Sequence, residues 1–252
     1  MTPPTPAPAT SPATAPGAVP RAAHRAGSPE GIRLAVLDLA GTTVTDAGAV
    51  EDAFVQALCQ MDVPEGSASH ARMMEHVRAT MGESKISVFR HLFGDGEAAE
   101  RANDLFERAY AELVAAGRCR PIPGARETIE ALRASGVAVV LNTGFSPRTR
   151  DSLLASLGWA DLADAVLSPA DAGRGRPYPD MVLTALLRTG TPSVHHTVVV
   201  GDTPYDIEAG LRAGAGLVVA VLTGAHTEPQ LRAAGAHYVV DSVRRLPDVL
   251  RG

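Results

Sequence analysis

The chain is nearly without lysine. Of its 23 basic residues, 22 are arginine and only Lys85 is lysine. An arginine cannot give up its proton in a protein, whereas a lysine amine can. The lone lysine therefore stands out as the one side-chain amine able to become neutral. Other scarcities exclude whole classes. Two cysteines, Cys59 and Cys119, have neither metal-ligand spacing nor the numbers of a disulfide framework, which fits a reducing, cytoplasmic setting. No apolar run reaches the roughly 18 residues of a membrane helix. A net charge of −5 leaves no general basic footprint for nucleic acid. The eight histidines are scattered, with no His-x-x-x-His pair for zinc. What remains is a chain whose partner is a small molecule.

Residues 1–30 are Pro, Ala, Thr and Ser with almost no large apolar side chains. Such a segment buries too little surface to offset its ordering entropy, so a disordered tail is expected. It has no apolar core of a secretory signal. From Arg33 the character changes. Leu34-Ala35-Val36-Leu37-Asp38 is a buried-strand run ending in a carboxylate. Further strands are expected at 137–141, 165–167, 197–200, 217–222 and 237–240. Helices are expected at 124–135, 147–157, 178–189, 204–213 and 228–234. Gly136, Gly158, Gly190 and Gly214 follow four of these helices as C-terminal caps do. Strand alternating with helix predicts a doubly wound α/β fold with a parallel sheet.

Residues 49–117 break the alternation. Segments 49–60, 69–80, 84–93 and 97–116 carry apolar residues at helical spacing, as in Leu105, Ala109 and Leu113. The expected organisation is a core of residues 31–48 and 118–252, with a helical cap of residues 49–117 over the carboxyl ends of the strands, where ligands bind in such sheets.

The chemistry-bearing residues sit at those strand ends. Asp38 closes the first strand, and Gly41-Thr42-Thr43 follows with backbone N–H groups suited to phosphate oxygens. Asp202 closes the strand Val198-Val199-Val200-Gly201, with Asp206 one helical turn on. Carboxylates converging on one crevice repel unless a hard cation such as Mg²⁺ joins them. Asp206 is read two ways, as part of that metal site or as a partner for the helix N-terminus. Thr143 and Gly144 end the strand 137–141. Arg176, in Gly175-Arg176-Pro177-Tyr178-Pro179, can neutralise phosphoryl charge.

In this order, Asp38, Thr143, Arg176 and Asp202/Asp206 resemble the haloacid dehalogenase superfamily of phosphoryl-transfer enzymes, over residues 32–250. The resemblance implies that Asp38 is a nucleophile forming an aspartyl-phosphate. Thr42, Thr143, Gly144 and Arg176 would hold phosphoryl oxygens. Mg²⁺ would be held by Asp38, the Ala40 main-chain carbonyl and Asp202, with Asp206 in or behind that set. The superfamily's phosphatases carry an acid two residues after the nucleophile, and here that residue is Ala40. Such a donor is worth about 10²–10⁴-fold, so either the enzyme is a poor one or its leaving group needs no proton on oxygen.

Asp38-Leu39-Ala40-Gly41-Thr42-Thr43 and Gly175-Arg176-Pro177 are similar to the motifs of phosphonatase-like hydrolases, which resemble phosphonoacetaldehyde hydrolase. In that branch a cap lysine in a Met-Gly-x-x-Lys motif forms a Schiff base with the substrate aldehyde, and here the motif is Met81-Gly82-Glu83-Ser84-Lys85. The implied reaction is Mg²⁺-dependent cleavage of the C–P bond of phosphonoacetaldehyde or a close analogue. Met81 is read either as a substrate-side residue or as cap packing, and Lys85 either as this amine or as a solvated helix start. The branch has a histidine three residues after the lysine, where this chain has Val88, and His91 one turn further on is the candidate substitute. The alternative readings are a phosphatase acting on small monoesters without a Schiff base, and a non-catalytic phosphate-binding protein. The resemblance also implies a homodimer formed through the cap.

Overall fold

The computed structural model describes residues 31–251. The segment 1–30, expected to be disordered, lies outside the described residues. Strand β1 (Leu34–Asp38) is fully buried, as its unbroken apolar run requires. A two-residue strand β2 (Val44–Thr45) leads into four helices, α1 (Ala49–Gln60), α2 (Ala68–Ala79), α3 (Lys85–Phe93) and α4 (Glu97–Ala115). The chain returns through β3 (Arg120–Pro121), which pairs antiparallel with β2. The two connections of the helical insertion are thereby tied into one ribbon. Two-residue strands are too short to show a period, and the sequence reading contained neither of them.

Strand and helix then alternate as expected: α5 (Ala125–Ala134), β4 (Ala138–Asn142), α6 (Pro147–Leu157), β5 (Ala165–Leu167), α7 (Pro169–Ala172), α8 (Asp180–Thr189), β6 (Thr197–Gly201), α9 (Pro204–Ala213), β7 (Leu217–Val221), α10 (Glu228–Ala233), β8 (Tyr238–Val240) and α11 (Leu246–Arg251). The short helices α7 and α11 are additions to the sequence reading. Gly158, Gly190 and Gly214 cap their helices in the left-handed conformation, as their spacing suggests.

The six-stranded sheet has the order β5-β4-β1-β6-β7-β8, with every neighbouring pair parallel. Helices cover both faces and bury two apolar layers. The architecture is the doubly wound α/β fold. β1 lies at its centre, between β4 and β6, where the chain turns from building one half of the sheet to building the other. Asp38 pairs with Asn142 across to β4, and Leu37 pairs with Val200 on β6. This register brings the ends of β1, β4 and β6 out side by side, and a crevice at such a switch point is where these sheets bind ligands. Among the described residues, no helix is long and apolar enough to cross a membrane.

The few aromatic residues are concentrated in one place. All five phenylalanines lie in or beside the helical insertion. Phe54 stacks at 5.0 Å on Phe89 and at 4.7 Å on Phe106. Tyr110 continues the series and meets Phe145 of the β4–α6 connection at 4.6 Å. The series packs the insertion internally and ends on the core sheet's own loop. Truncation of the fully buried Phe89 to Ala should cost about 3–5 kcal/mol of unfolding free energy in denaturant titration. A loss below about 1 kcal/mol would show that the cluster does not hold the insertion together.

Candidate active site

The carboxyl end of the sheet faces a cavity of about 310 Å³. Its floor comes from the core: Asp38, Thr143, Gly144, Arg176 and Asp202. Its roof comes from the insertion and the segment leading to it: Asp46, Met81, Gly82 and Lys85. Residues 120 or more positions apart in the chain thus share one space, as the strand-end argument required.

Arg176 is the hub of the floor. Its guanidinium donates to Asp38 Oδ1 at 2.7 Å and also to Asp206. Asp206 further accepts from the Thr203 amide at 3.1 Å and the Thr203 hydroxyl at 2.6 Å. That arrangement joins both sequence readings of Asp206, since its carboxylate caps α9 and anchors Arg176 at once. Asp202 Oδ1 accepts from the Thr42 hydroxyl at 2.9 Å. Gly41 and Gly224 flank the Asp202 carboxylate so closely that a Cβ at either position would overlap it.

Electrostatics of the floor are unbalanced. Burial pushes Asp38 up to about 7 despite Arg176, with Asp206 adding to the rise. Burial, Asp38 and Asp206 push Asp202 well above the usual carboxylate range. For Arg176, burial opposes the charge, but Asp206 and Asp38 hold it above its ordinary value. Three buried carboxylates share one guanidinium, and such a set is completed by a further cation. The oxygen donors suit a hard ion such as Mg²⁺. Among the described residues, no three His, Cys, Asp or Glu side chains cluster as a ready-made metal site. Asp206 is turned onto Arg176 and Thr203, so Asp38 and Asp202, which line the cavity together with Ala40, are the residues that would hold such an ion.

Thr42 is a correction. Its hydroxyl is committed to Asp202, and its amide, like that of Thr43, bonds back to Leu39 O. The Gly41 amide bonds to Val44 O. The loop spends these donors on its own turn, so Thr42 braces Asp202 rather than offering groups to a phosphoryl oxygen. Thr143 lines the cavity, and its hydroxyl oxygen accepts from the Phe145 amide at 3.2 Å.

Lys85 is buried at the first turn of α3, so it is not the solvated helix start. Its ammonium donates to Glu83 O at 3.5 Å and lies 5.5 Å from the Phe145 ring centre and 5.9 Å from that of Phe54. Burial lowers its pKa to about 8, helped by Arg176 and opposed by Asp38, Asp46 and Glu83. The segment before it is clamped to the core. A Cβ at Gly82 would fall 2.5 Å from Thr203 Oγ1, and one at Gly144 would fall 2.6 Å from Glu83 O. Met81 is half-buried, lining the cavity and packing on the apolar core together. Val88 is buried, and His91 is not its substitute. The helix register turns His91 to the surface, where it stacks on His76 with ring centres 3.9 Å apart.

Asp46, Phe145 and Thr223 also line the cavity, and the sequence reading gave none of them a role. Thr223 donates to Gly41 O at 2.6 Å and so holds the Asp38 loop in place. Asp46 has the sequence signature of a helix cap just before α1, which masks any other use.

Comparison with known proteins points the same way. A sequence model of haloacid dehalogenase-like hydrolases matches residues 32–214. A protein named phosphonoacetaldehyde hydrolase from Salmonella paratyphi A is 31% identical, with 87% of this chain and 94% of that one covered. One of the same name from Syntrophobacter fumaroxidans is 29% identical, with 87% and 91% covered. The crystal structure of a phosphonoacetaldehyde hydrolase-like protein from Oleispira antarctica matches with TM-score 0.73 and 28% identity, over 90% of this chain and 95% of that chain.

Loss of the hub should be costly. Arg176→Ala strands Asp38 and Asp206 and should destabilise the fold by about 3–5 kcal/mol at neutral pH. The stranded Asp38 carboxyl holds its proton more tightly when folded than when unfolded. The deficit should therefore shrink as pH falls from about 7 toward the ordinary carboxylate range near about 4. Chemical denaturation across that range reads it, and a deficit independent of pH would contradict the charge argument.

Proposed function

Because the chain belongs to the haloacid dehalogenase-like hydrolases, we propose that it is a phosphonatase-type enzyme that cleaves the C–P bond of phosphonoacetaldehyde or a close analogue, with Lys85 as Schiff-base former and Asp38 as phosphoryl acceptor. The observation that carries this reading is the place of Lys85. The chain's only lysine is buried in the same cavity as Asp38, with an amine whose pKa is lowered to about 8. The names of the relatives support the same substrate class.

The phosphonate group is met by Arg176 and by the Thr143 hydroxyl at the floor. The aldehyde end reaches the Lys85 amine at the roof. Condensation gives a protonated imine, and Asp38 attacks phosphorus. The C–P electron pair moves into the imine to leave an enamine, so no proton need be delivered to a departing oxygen. That is why Ala40 is tolerated where a monoester phosphatase needs an acid. Water then hydrolyses the aspartyl-phosphate, the enamine carbon takes a proton from solvent to give the protonated imine again, and a second water releases acetaldehyde from Lys85. Mg²⁺ fits the donor set of Asp38, Asp202 and the Ala40 carbonyl, and when bound it would neutralise charge on those carboxylates and on phosphoryl oxygens. Asp206 holds Arg176 in position, and Thr42 braces Asp202. The close approach of Gly82 to Thr203 and of Glu83 to Gly144 fixes where the segment presents Lys85.

The monoester phosphatase reading is weakened by the absence of an acid at Ala40 and by the outward turn of His91. The test is borohydride reduction in the presence of phosphonoacetaldehyde, followed by peptide mapping. Label is expected on Lys85, with labelling that rises with pH through about 8, because only the neutral amine attacks the carbonyl. Lys85→Arg should abolish labelling and lower release of phosphate from phosphonoacetaldehyde by at least about 10³-fold, the scale on which covalent catalysis acts. Phosphate monoester turnover that exceeds phosphonoacetaldehyde turnover and survives Lys85→Arg would establish the phosphatase instead. Removal of divalent ions with EDTA should stop phosphate release, and added Mg²⁺ should restore it.

A further inference from the structure

Imine formation requires protons to move. An ammonium must lose one, and the hydroxyl of the carbinolamine must gain one to depart as water. The reading of Lys85 above sets that requirement, and the inference here rests on it. Val88 offers no titrating group, and His91 faces solvent. The donor must therefore be sought among the carboxylates of the cavity wall.

Among the described residues four carboxylates line that wall: Asp38, Asp46, Glu51 and Asp202. Asp38 is bonded to Arg176 at 2.7 Å and must stay ionised to attack phosphorus. Asp202 is braced by Thr42 and belongs to the proposed cation set. Glu51 is paired with Arg78 at 2.9 Å and sits at the partly exposed rim. Glu83, although next to Lys85 in sequence, presents its main-chain oxygen to the amine and its carboxylate to Tyr205. Asp46 lines the cavity with a carboxylate that meets no arginine and takes no part in the proposed cation set, and its charge acts on Lys85. Its oxygens accept only backbone N–H groups, Gly48 at 3.2 Å and Val50 at 3.0 Å, so it is held rigidly at the start of α1.

We propose that Asp46 is the proton-transfer residue of imine formation, catalytic toward the aldehyde end of the substrate. The Asp46 carboxylate takes the proton of the Lys85 ammonium through one intervening water in the cavity they share. The neutral amine adds to the aldehyde carbon and forms the C–N bond, with one further proton passing from nitrogen to the carbinolamine oxygen. Asp46 then gives its proton to the carbinolamine hydroxyl, the C–O bond breaks and water leaves. The products are the protonated imine, one water and Asp46 again as carboxylate. No oxidant or reductant is involved, and the proton count balances.

The substitution Asp46→Asn separates this role from capping, because its single oxygen still accepts one of the two amide bonds that the Asp46 oxygens take, while the side chain cannot carry the proton. Single-turnover borohydride trapping of phosphonoacetaldehyde on Lys85 should slow by about 10²–10⁴-fold, the range of general acid–base catalysis. The thermal midpoint should stay within a few degrees of the parent's. Asp46→Ser, which also caps but does not titrate, should show the same loss. Asp46→Glu should recover part of the rate, and added formate should partly rescue Asp46→Asn. If the parent labels Lys85 and both Asp46→Asn and Asp46→Ser label it at an unchanged rate, the proposal is overturned while the Lys85 reading stands. If the parent itself gives no label, the Lys85 reading fails and this one falls with it.

Discussion

Everything in this molecule is arranged around a crowd of like charges. Asp38, Asp202 and Asp206 are brought together by the register of β1 and β6, and a single guanidinium stands among them. Burial alone would drive such carboxyls to their neutral forms. Arg176 holds Asp38 and Asp206 directly, and Thr42 gives Asp202 a hydrogen bond without adding charge. The remaining deficit of positive charge is the physical ground for proposing a divalent ion there. The surrounding glycines follow from the same crowding. Gly41, Gly201 and Gly224 stand where any side chain would run into Asp202 or Asp206. Their value lies in the space they leave for carboxylates.

The division between arginine and lysine is explained by this charge field. At the floor the need is for a permanent cation that can bridge two carboxylates, and a planar guanidinium does that better than an ammonium. At the roof the need is for a cation that can cease to be one. Lys85 is set between two aromatic rings and away from bulk water, so its proton is easier to remove. Asp38, Asp46 and Glu83 pull the other way and keep the shift moderate. The balance leaves an amine that is mostly charged near pH 7 but loses its proton far more readily than an ordinary lysine.

Much of this was legible in the sequence, for a physical reason. The core strands are buried on both faces, so they read as unbroken apolar runs, and their helices end at glycines. Carboxylates placed at the ends of such runs must converge, because parallel strands all end at one edge. Side-chain direction within a loop was not legible. Thr42 looks like a phosphate-binding residue because of its neighbours, yet its hydroxyl points at Asp202 and its amide closes a turn. Helix register was read too loosely at His91, which lies six residues beyond Lys85 and so on a different face of α3. Asp46 was masked for another reason: a carboxylate just before a helix satisfies the rules of capping so well that nothing in the local sequence asks for a second function.

The contact between insertion and core carries the last step of the argument. Gly82 rests on Thr203, whose hydroxyl is bonded to Asp206, which in turn holds Arg176. Glu83 reaches Tyr205, whose phenol is pushed up to about 12 chiefly by burial and by that carboxylate. Lys85 follows two residues later. The segment that presents the amine is therefore seated on the same α9 N-terminus that organises the phosphoryl floor. If Thr203 shifts, the Asp206–Arg176 bridge and the seat of Gly82 move together. Under the proposed reaction, a site that joins an aldehyde at one end to a phosphonate at the other needs a fixed distance between its two halves. Here that distance is held by the contact of a Cβ-less residue with a capping threonine, which explains why a glycine stands between Met81 and Glu83 where a helix former would otherwise serve.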